Sequence, residues 1–319
     1  MAAFFYNVQP MKHYDVEANG VCLHVVEKGE GPAVLFCHGF PAISSSWKAQ
    51  MEAVANAGFR AIAFDLRGYG RSSVPTAPEE YTAYHTVGDA VAVLAAAGAA
   101  SATIVGHDWG ANIAWNAAMM RPDLFPAVCG ISVQFRPPGD PSFLHSLRAA
   151  GRHGFYMFEH IKPEADQEWA DAAMSVPGMM YWSSGEAPDA GRWDPFDPSR
   201  ALLRAAPALP KSVDREYLDE AIASFQRTGF RGALNYYRAI DHFHRPSAAF
   251  AGAKIRQPSM FLGGTLDGSN LVKAPTKESL RENLANLRSY VMLEGVGHWP
   301  QFEAPKATNA ALLDFLNDL

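Results

Sequence analysis

The stretch that decides the fold is "TIVGHDWGANIAW", residues 103 to 115. An apolar run typical of a strand leads into Gly106, and a helical pattern takes over at Gly110. Asp108 stands between these glycines, at a strand–Gly-x-nucleophile-x-Gly–helix turn that displays its central side chain at the top of a sheet. Asp108 is therefore a candidate nucleophile. The alternative is that it only caps the helix beginning at Trp109, because aspartate is favoured at that position.

Strand-like and helix-like segments alternate on both sides of this turn. The strand-like runs are "VCLHVVEKG", "PAVLFCHG", "FRAIAFDLRG", "SATIVGHD", "AVCGISV", "PSMFLGG" and "SYVMLEG". Helices are predicted near Trp47 and over "VGDAVAVLAAAG", "GANIAWNAAMM", "TKESLRENLANL" and "NAALLDFLNDL". Short apolar strands alternating with helices predict an α/β fold whose mostly parallel sheet is covered by helices on both faces.

The middle of the chain breaks this alternation. Residues 138–245 are rich in Met, Trp, Tyr, His and Pro and show helical spacing with little strand signal. We therefore expect an inserted helical cap at 138–245, between a first core part at 1–137 and a second core part at 246–319. Trp182, Trp193, Phe158, Met179 and Met180 would make this cap broadly apolar.

Composition narrows the function classes. Hydrophobic residues make up 48% and charged residues 19% of the 319 residues, which excludes a disordered chain. The net charge of −6 and the lack of a basic block speak against nucleic acid or an anionic membrane as a partner. Without a membrane-spanning run or a leader-like N-terminus, a soluble cytoplasmic protein is expected. The oligomeric state stays open, a homodimer included.

No cofactor or metal is expected. The three cysteines (Cys22, Cys37 and Cys129) lie in apolar runs and lack the spacing of zinc ligands, so they are predicted to be buried thiols in a reducing compartment. In "DHFHR", His242 and His244 suggest a metal site. Two histidines two positions apart on a helix point in different directions, however, which disfavours that hypothesis.

Two later strands supply partners for Asp108. Asp267 follows "PSMFLGG", and His298 follows "SYVMLEG", so both lie just past the carboxyl end of a strand, where ligand and catalytic groups gather in α/β sheets. Taken singly, Asp267 could be a turn former and His298 an ordinary loop histidine. The order nucleophile, acid, histidine is the one expected of this architecture, so together they predict a catalytic triad.

A fourth element is "FCHGFPAISSSW", which also follows a buried strand. The backbone N–H groups of Phe40 and Trp109 could point at one spot beside Asp108 and form an oxyanion hole. Pro41 has no N–H to donate, and a cis Phe40–Pro41 bond is our hypothesis for its role. The candidate substrate-binding residues are Phe40, Trp109, His153 and Trp299.

The motifs "HGFP", "DLRGYGRSS", "GHDWG", "TLD" and "GHWPQFEAP" together resemble the α/β-hydrolase fold and, within it, the epoxide hydrolases with a helical cap. The resemblance covers residues 20–135 and 250–319. In the cap, "GFRGALNYYR" is similar to the segment that carries one acid tyrosine, which implies Tyr237. "FYMFEHIKPEAD" is similar, more weakly, to the segment of the second, which implies Tyr156. The chain has His160 and Ile161 where the family commonly has an aromatic residue and a glutamine, so His153 is a candidate substitute acid.

An aspartate nucleophile suits a saturated carbon, as in an epoxide or an alkyl halide. Its ester can be opened by water activated by a histidine, whereas the ether formed by a serine could not. The epoxide oxygen also needs a proton, which a tyrosine can supply; ordinary aromatic packing is the alternative role for both tyrosines. The predicted function is thus epoxide hydrolysis of a small uncharged substrate.

Two other functions remain as alternatives. A haloalkane dehalogenase would use the same nucleophile, with the Trp109 N–H available to halide, but the resembling dehalogenases usually have asparagine at the position of Phe40 and lack the tyrosine pair. A fluoroacetate-type enzyme would want arginines beside the nucleophile, which this chain lacks there. A non-catalytic binding protein on a hydrolase scaffold is the alternative from another class.

Overall fold

One eight-stranded sheet organises the part of the chain that the computed structural model describes, namely residues 10–139, 141–244 and 246–319. Its strands are β1 (Lys12–Ala18), β2 (Val21–Lys28), β3 (Ala33–Cys37), β4 (Arg60–Phe64), β5 (Ala102–His107), β6 (Ala127–Ile131), β7 (Ile255–Gly264) and β8 (Leu284–Leu293). Their order across the sheet is β1-β2-β4-β3-β5-β6-β7-β8. The pairs β1–β2 and β2–β4 are antiparallel and the others are parallel, which confirms the predicted mostly parallel sheet.

A few sequence predictions fall outside the described residues. They concern the N-terminal nine residues and, in the predicted cap, Asp140 and Arg245. Within the described chain, no helix is both long and apolar enough to cross a membrane.

Helices flank the sheet. They are α1 (Lys48–Asn56), α2 (Ala83–Ala96), α3 (Trp109–Met120), α4 (Phe143–Ala149), α5 (Met157–His160), α6 (Ala165–Glu168), α7 (Ala172–Trp182), α8 (Arg215–Thr228), α9 (Arg231–Arg238), α10 (Ile240–His244), α11 (Lys277–Arg281), α12 (Pro300–Glu303) and α13 (Pro305–Asn317). Short 3₁₀ turns lie at Ser44–Trp47, Pro78–Tyr81, Pro198–Arg200, Pro246–Phe250 and Gly268–Leu271.

The central strands show why both faces need helices. Successive side chains of a strand point to opposite faces. In β3, Val34 and Phe36 pack with residues of α1 and α13, whereas Leu35 and Cys37 pack with residues of α2 and α3. All four are buried, as expected of an apolar strand in the middle of a parallel sheet.

The described residues between β6 and β7 form only helices and loops, with α4 to α10 among them. This helical segment coincides with the inserted cap that the sequence predicts. The cap boundaries at residues 138 and 245 stay a prediction.

Two elements differ from the sequence prediction. The edge strand β1 was not predicted, because its sequence "KHYDVEA" is largely charged and only Val16 is buried. The helix predicted over "TKESLRENLANL" is too long, since α11 ends at Arg281 and Leu284 already pairs with Ile255 of β7. Pairing with the sheet therefore overrides the helical spacing of the leucines.

Candidate active site

The turn around Asp108 is a tight strand-to-helix elbow. Asp108 has φ 52° and ψ −117°, between the end of β5 and the start of α3. This left-handed region is rare for a residue with a side chain and is characteristic of functional sites. A Cβ at Gly106 would lie 1.9 Å from the Gly110 carbonyl oxygen, and one at Gly110 would lie 1.9 Å from that of Cys37. Only glycines at these positions allow the chain to turn so closely.

Three loops at the carboxyl ends of β5, β7 and β8 bring the predicted triad together. His298 Nδ1 lies 3.2 and 3.1 Å from the two carboxylate oxygens of Asp267. On the other side of the ring, Nε2 lies 3.5 Å from Oδ2 of Asp108. All three side chains are buried. The imidazole therefore bridges two carboxylates.

The two carboxylates and the imidazole between them each shift the pKa of the other groups toward the charged form. Burial alone would raise the pKa of Asp108, but the hydrogen bond and charge of His298 outweigh it and hold the pKa below its usual value. The pKa of Asp267 is lowered in the same way, against burial. Burial would lower the pKa of His298, yet the two carboxylates raise it to about 10. At neutral pH the resting site thus holds two carboxylates and an imidazolium.

Backbone donors meet the nucleophile from a second loop. The Phe40 N–H donates to Oδ1 of Asp108 at 2.8 Å. The Phe40–Pro41 bond is cis, as hypothesised. A Cβ at Gly39 would lie 2.5 Å from Oδ1 of Asp108, so this loop approaches the carboxylate closely. Trp109 is the first residue of α3, where a backbone N–H has no acceptor within the helix.

Two tyrosines from the cap lie against this loop and each other. Tyr237 in α9 contacts the Phe40 ring edge-on at 5.6 Å between centroids and the Trp109 ring at 4.9 Å. Tyr156, just before α5, lies 6.2 Å from Tyr237 between ring centroids. Burial raises the pKa of both phenols well above 10, and the charge of Asp108 raises it further. Both hydroxyls are therefore protonated and lie within the electrostatic reach of the nucleophile.

A cavity of about 670 Å³ adjoins these groups. Its lining includes the ring of Trp109, next to the nucleophile, together with Tyr156 and Trp193. Much of the remaining lining is apolar, for example Ile113, Val133, Phe155 and Phe243. A cavity of this volume and lining is typical of a site for a small organic molecule.

Known proteins share this architecture. A family model described as alpha/beta hydrolase fold matches residues 32–305. An epoxide hydrolase of Caballeronia sordidicola is 51% identical over 96% of this chain and 94% of its own length. Epoxide hydrolase A of Mycobacterium tuberculosis is 37% identical over 95% of this chain and 97% of its own length. A solved structure, an epoxide hydrolase from an endophytic Streptomyces, matches with a TM-score of 0.89 at 37% identity, covering 96% of this chain and 95% of that one.

The chain belongs to the epoxide hydrolase family of the α/β-hydrolase fold. The resemblance noted in the sequence is thereby confirmed, as is the predicted class of enzyme, a hydrolase that acts on epoxides.

Three predicted substrate-binding residues of this epoxide hydrolase, Phe40, His153 and Trp299, are absent from the cavity lining. His153 is exposed and is absent from the cavity lining, because it lies in the turn that precedes the cap segment of Tyr156. The expectation that it replaces Tyr156 as an acid is thus corrected. Trp299 is buried next to His298 and donates its indole N–H to the Ser183 hydroxyl at 2.8 Å, so it supports the histidine loop and does not line the cavity.

The sequence analysis missed three other residues near the triad. His107 donates from Nε2 to the His298 carbonyl oxygen at 2.7 Å, and burial together with the charge of His298 lowers its pKa to about 4. Trp193 lines the cavity and packs edge-on against Tyr156 and His298. His160 packs edge-on against Tyr237 at 4.7 Å between centroids, and burial lowers its pKa to about 3. The family departure noted at His160 was the available signal.

Among the described residues, no group of three or more His, Cys, Asp or Glu side chains could hold a metal ion. The metal hypothesis for His242 and His244 therefore gains no support.

Proposed function

We propose that this epoxide hydrolase converts an epoxide to a vicinal diol in two covalent steps, with Asp108 as the nucleophile. The observation that carries the proposal is the imidazole of His298 between the Asp108 and Asp267 carboxylates. Two cap tyrosines, Tyr237 buried and Tyr156 half-buried, lie close to the nucleophile. Phe40 and Trp109 act as oxyanion donors, and Trp109 also borders the substrate cavity.

In the first step, Asp108 attacks one ring carbon of the epoxide. A carbon–oxygen bond forms to the carboxylate while the ring carbon–oxygen bond breaks, giving an alkyl ester. The ring oxygen takes a proton from Tyr237 or Tyr156, since an alkoxide is a poor leaving group. The Trp109 ring packs edge-on against Tyr237 at 4.9 Å between centroids, next to the nucleophile.

In the second step, His298 takes a proton from water, and the hydroxide attacks the ester carbonyl carbon. The tetrahedral oxyanion forms where the Phe40 N–H meets Oδ1 of Asp108, and the Trp109 N–H is the second donor. Collapse of this intermediate releases the diol and restores the Asp108 carboxylate. His298 keeps the proton taken from water, which restores the imidazolium of the resting site.

The first step prepares the base for the second. Ester formation removes the negative charge of Asp108 and weakens its hydrogen bond to His298, which are two of the influences that raise the pKa of His298. The pKa of His298 therefore falls in the ester, and the imidazolium passes its proton to the tyrosinate left by the first step. This transfer leaves the neutral imidazole that is needed to activate water.

The aromatic and apolar lining beside the triad supports a small uncharged epoxide as substrate. The three thiols, none of them in a disulfide and two of them fully buried, support work in the reducing cytoplasm.

Trapping of the ester tests the proposal. In His298→Gln, ester formation should proceed and hydrolysis should stop, so incubation with a styrene-oxide-type aryl epoxide should raise the intact-protein mass by the mass of the epoxide. Asp108→Ala is the matched control and should show neither adduct nor turnover. An unmodified His298→Gln protein would contradict the covalent mechanism, and a binding protein would give that result.

A further inference from the structure

The backbone of His298 is held from two sides. Its carbonyl oxygen accepts hydrogen bonds from His107 Nε2 at 2.7 Å and from the Ser132 hydroxyl at 2.9 Å, both in the core. Its N–H donates to the carbonyl oxygen of Ser183, just after α7 in the cap, at 2.9 Å. The position of the histidine therefore depends on a cap segment as well as on the sheet.

The carboxylate of Glu303, the last residue of α12, forms hydrogen bonds with both the cap segment and the histidine loop. Its Oε2 accepts from the Gly185 N–H at 2.7 Å and from the Gly297 N–H at 2.8 Å. Its Oε1 accepts from the Trp299 N–H at 2.9 Å. Gly297 and Trp299 are the residues on either side of His298. We call these three hydrogen bonds the Glu303 clamp.

The clamp is tightly built. A Cβ at Gly297 would lie 2.5 Å from the Gly185 nitrogen, and a Cβ at Gly185 would lie 2.1 Å from the Gly295 carbonyl oxygen. Cap and histidine loop thus touch backbone to backbone. Trp299 adds its indole hydrogen bond to Ser183.

The three backbone N–H donors compensate the Glu303 carboxylate for the hydration that it loses. The salt bridges among the described residues do not include Glu303, and burial raises its pKa. A half-buried carboxylate without a cation partner needs hydrogen bonds to offset the hydration it has lost. Three backbone donors converging on one side chain supply that compensation and fix the loop at the same time.

We propose that Glu303 is a positioning residue that holds His298 for ester hydrolysis by tying its loop to the cap. This inference rests on the proposed two-step function. Glu303 acts through the backbone of the loop and does not touch the substrate.

The two steps should respond differently to loss of the clamp. Ester formation uses Asp108, held by β5 and the Phe40 N–H, and the cap tyrosines on α9 and before α5. Hydrolysis alone needs the Nε2 of His298 aligned with a water and the ester carbon. A displacement of His298 therefore slows the second step selectively.

Glu303→Gln tests this with little change in side-chain volume. The amide has one acceptor oxygen, and its NH₂ group must face at least one of the backbone N–H donors. By rapid quench and intact-protein mass, the rate of ester formation should stay within about twofold of wild type. The rate of ester hydrolysis should fall between about tenfold and a hundredfold, as for other misplaced catalytic groups. The ester should accumulate in the steady state, with kcat and KM lowered together.

Glu294→Gln is the matched control, since Glu294 is an exposed glutamate of the same loop. Its two rates should equal those of wild type. If Glu303→Gln does not fold, as judged by its circular dichroism and Tm, Ser183→Ala replaces it. That variant removes the acceptor of the Trp299 indole and should also slow hydrolysis more than ester formation.

Equal loss in both steps, or unchanged hydrolysis, would overturn the role assigned to Glu303. Failure of the function itself has a different signature, because His298→Gln would then form no ester with the same epoxide.

Discussion

At the scale of single residues, the choice of an aspartate at position 108 determines the chemistry. An ionised carboxylate needs no base to activate it, and His298 holds the pKa of Asp108 low despite burial. Its ester keeps a carbonyl that water can attack, which an ether would lack. In the proposed mechanism, the same imidazole that stabilises the Asp108 carboxylate then serves as the base, once alkylation has neutralised Asp108.

Tyr237 is the proposed proton donor, and its ring packs against those of Phe40 and Trp109. Tyr237→Phe keeps the ring and removes the proton, so the rate of ester formation should fall by roughly 10²-fold or more. Stopped-flow tryptophan fluorescence or rapid quench measures that rate. Tyr236→Phe is the control, because the Tyr236 hydroxyl donates to the Arg67 carbonyl oxygen at 3.1 Å and not to the substrate. A loss below threefold in Tyr237→Phe would assign Tyr237 to packing.

Position along the chain was enough to find the core residues of the candidate site. Asp108, Asp267 and His298 each follow a strand, so their meeting could be predicted from the sequence and the rules of parallel sheets. No comparable rule predicts which residues of the helical cap lie near the triad. Tyr156 and Tyr237 were identified only by resemblance. His153, the candidate substitute for Tyr156, is exposed, and the turn in which it lies has no pattern from which its exposure could be predicted.

At the scale of elements, a buried ion pair connects the loop after β4 to α2. The Arg67 Nε and Nη2 atoms each lie 2.6 Å from an oxygen of Asp89, and both side chains are fully buried. Tyr236 of α9 bonds to the Arg67 carbonyl oxygen, and a Cβ at Gly68 would lie 2.8 Å from the Gly232 backbone. The pair therefore supports the loop on which the Tyr237 helix rests.

Removing one partner of the Arg67–Asp89 pair should lower the stability of the fold. Asp89→Ala leaves a buried guanidinium without its counter-charge, so the free energy of unfolding should fall by about 3–5 kcal/mol. Urea denaturation followed by circular dichroism measures it. Asp219→Ala, which breaks an exposed pair with Arg215, should cost less than about 1 kcal/mol. Similar losses in the two variants would refute a special role for the buried pair.

Strands and helices of the core could be predicted where apolar periodicity dominates. β3, β5 and β6 are buried throughout, or nearly so, and their apolar runs identified them. The strand β1 was not predicted, because an edge strand exposes charged side chains and lacks an apolar run. The segment from Leu284 onward was misread because leucines at positions 280, 284 and 287 have helical spacing, whereas pairing with β7 is a long-range interaction that local spacing does not encode.

At the scale of the whole molecule, the proposed reaction needs core and cap together. The core supplies the nucleophile, the base and the oxyanion donors, and the cap supplies the proton donors. The cavity lies between them, lined by Trp109 of the core and by Tyr156 and Trp193 of the cap. Ser183 and Gly185 of the cap contact the histidine loop, so the cap also helps to position the proposed base, His298.

A single turnover in H₂¹⁸O, with enzyme in excess over epoxide, tests the ester on Asp108 most directly. Water attacks the ester carbonyl carbon in this account, so mass spectrometry should find the heavy oxygen in the Asp108 carboxylate and none in the first diol. Heavy oxygen in that first diol, with an unlabelled Asp108, would mean that water attacks the epoxide directly and would contradict the account.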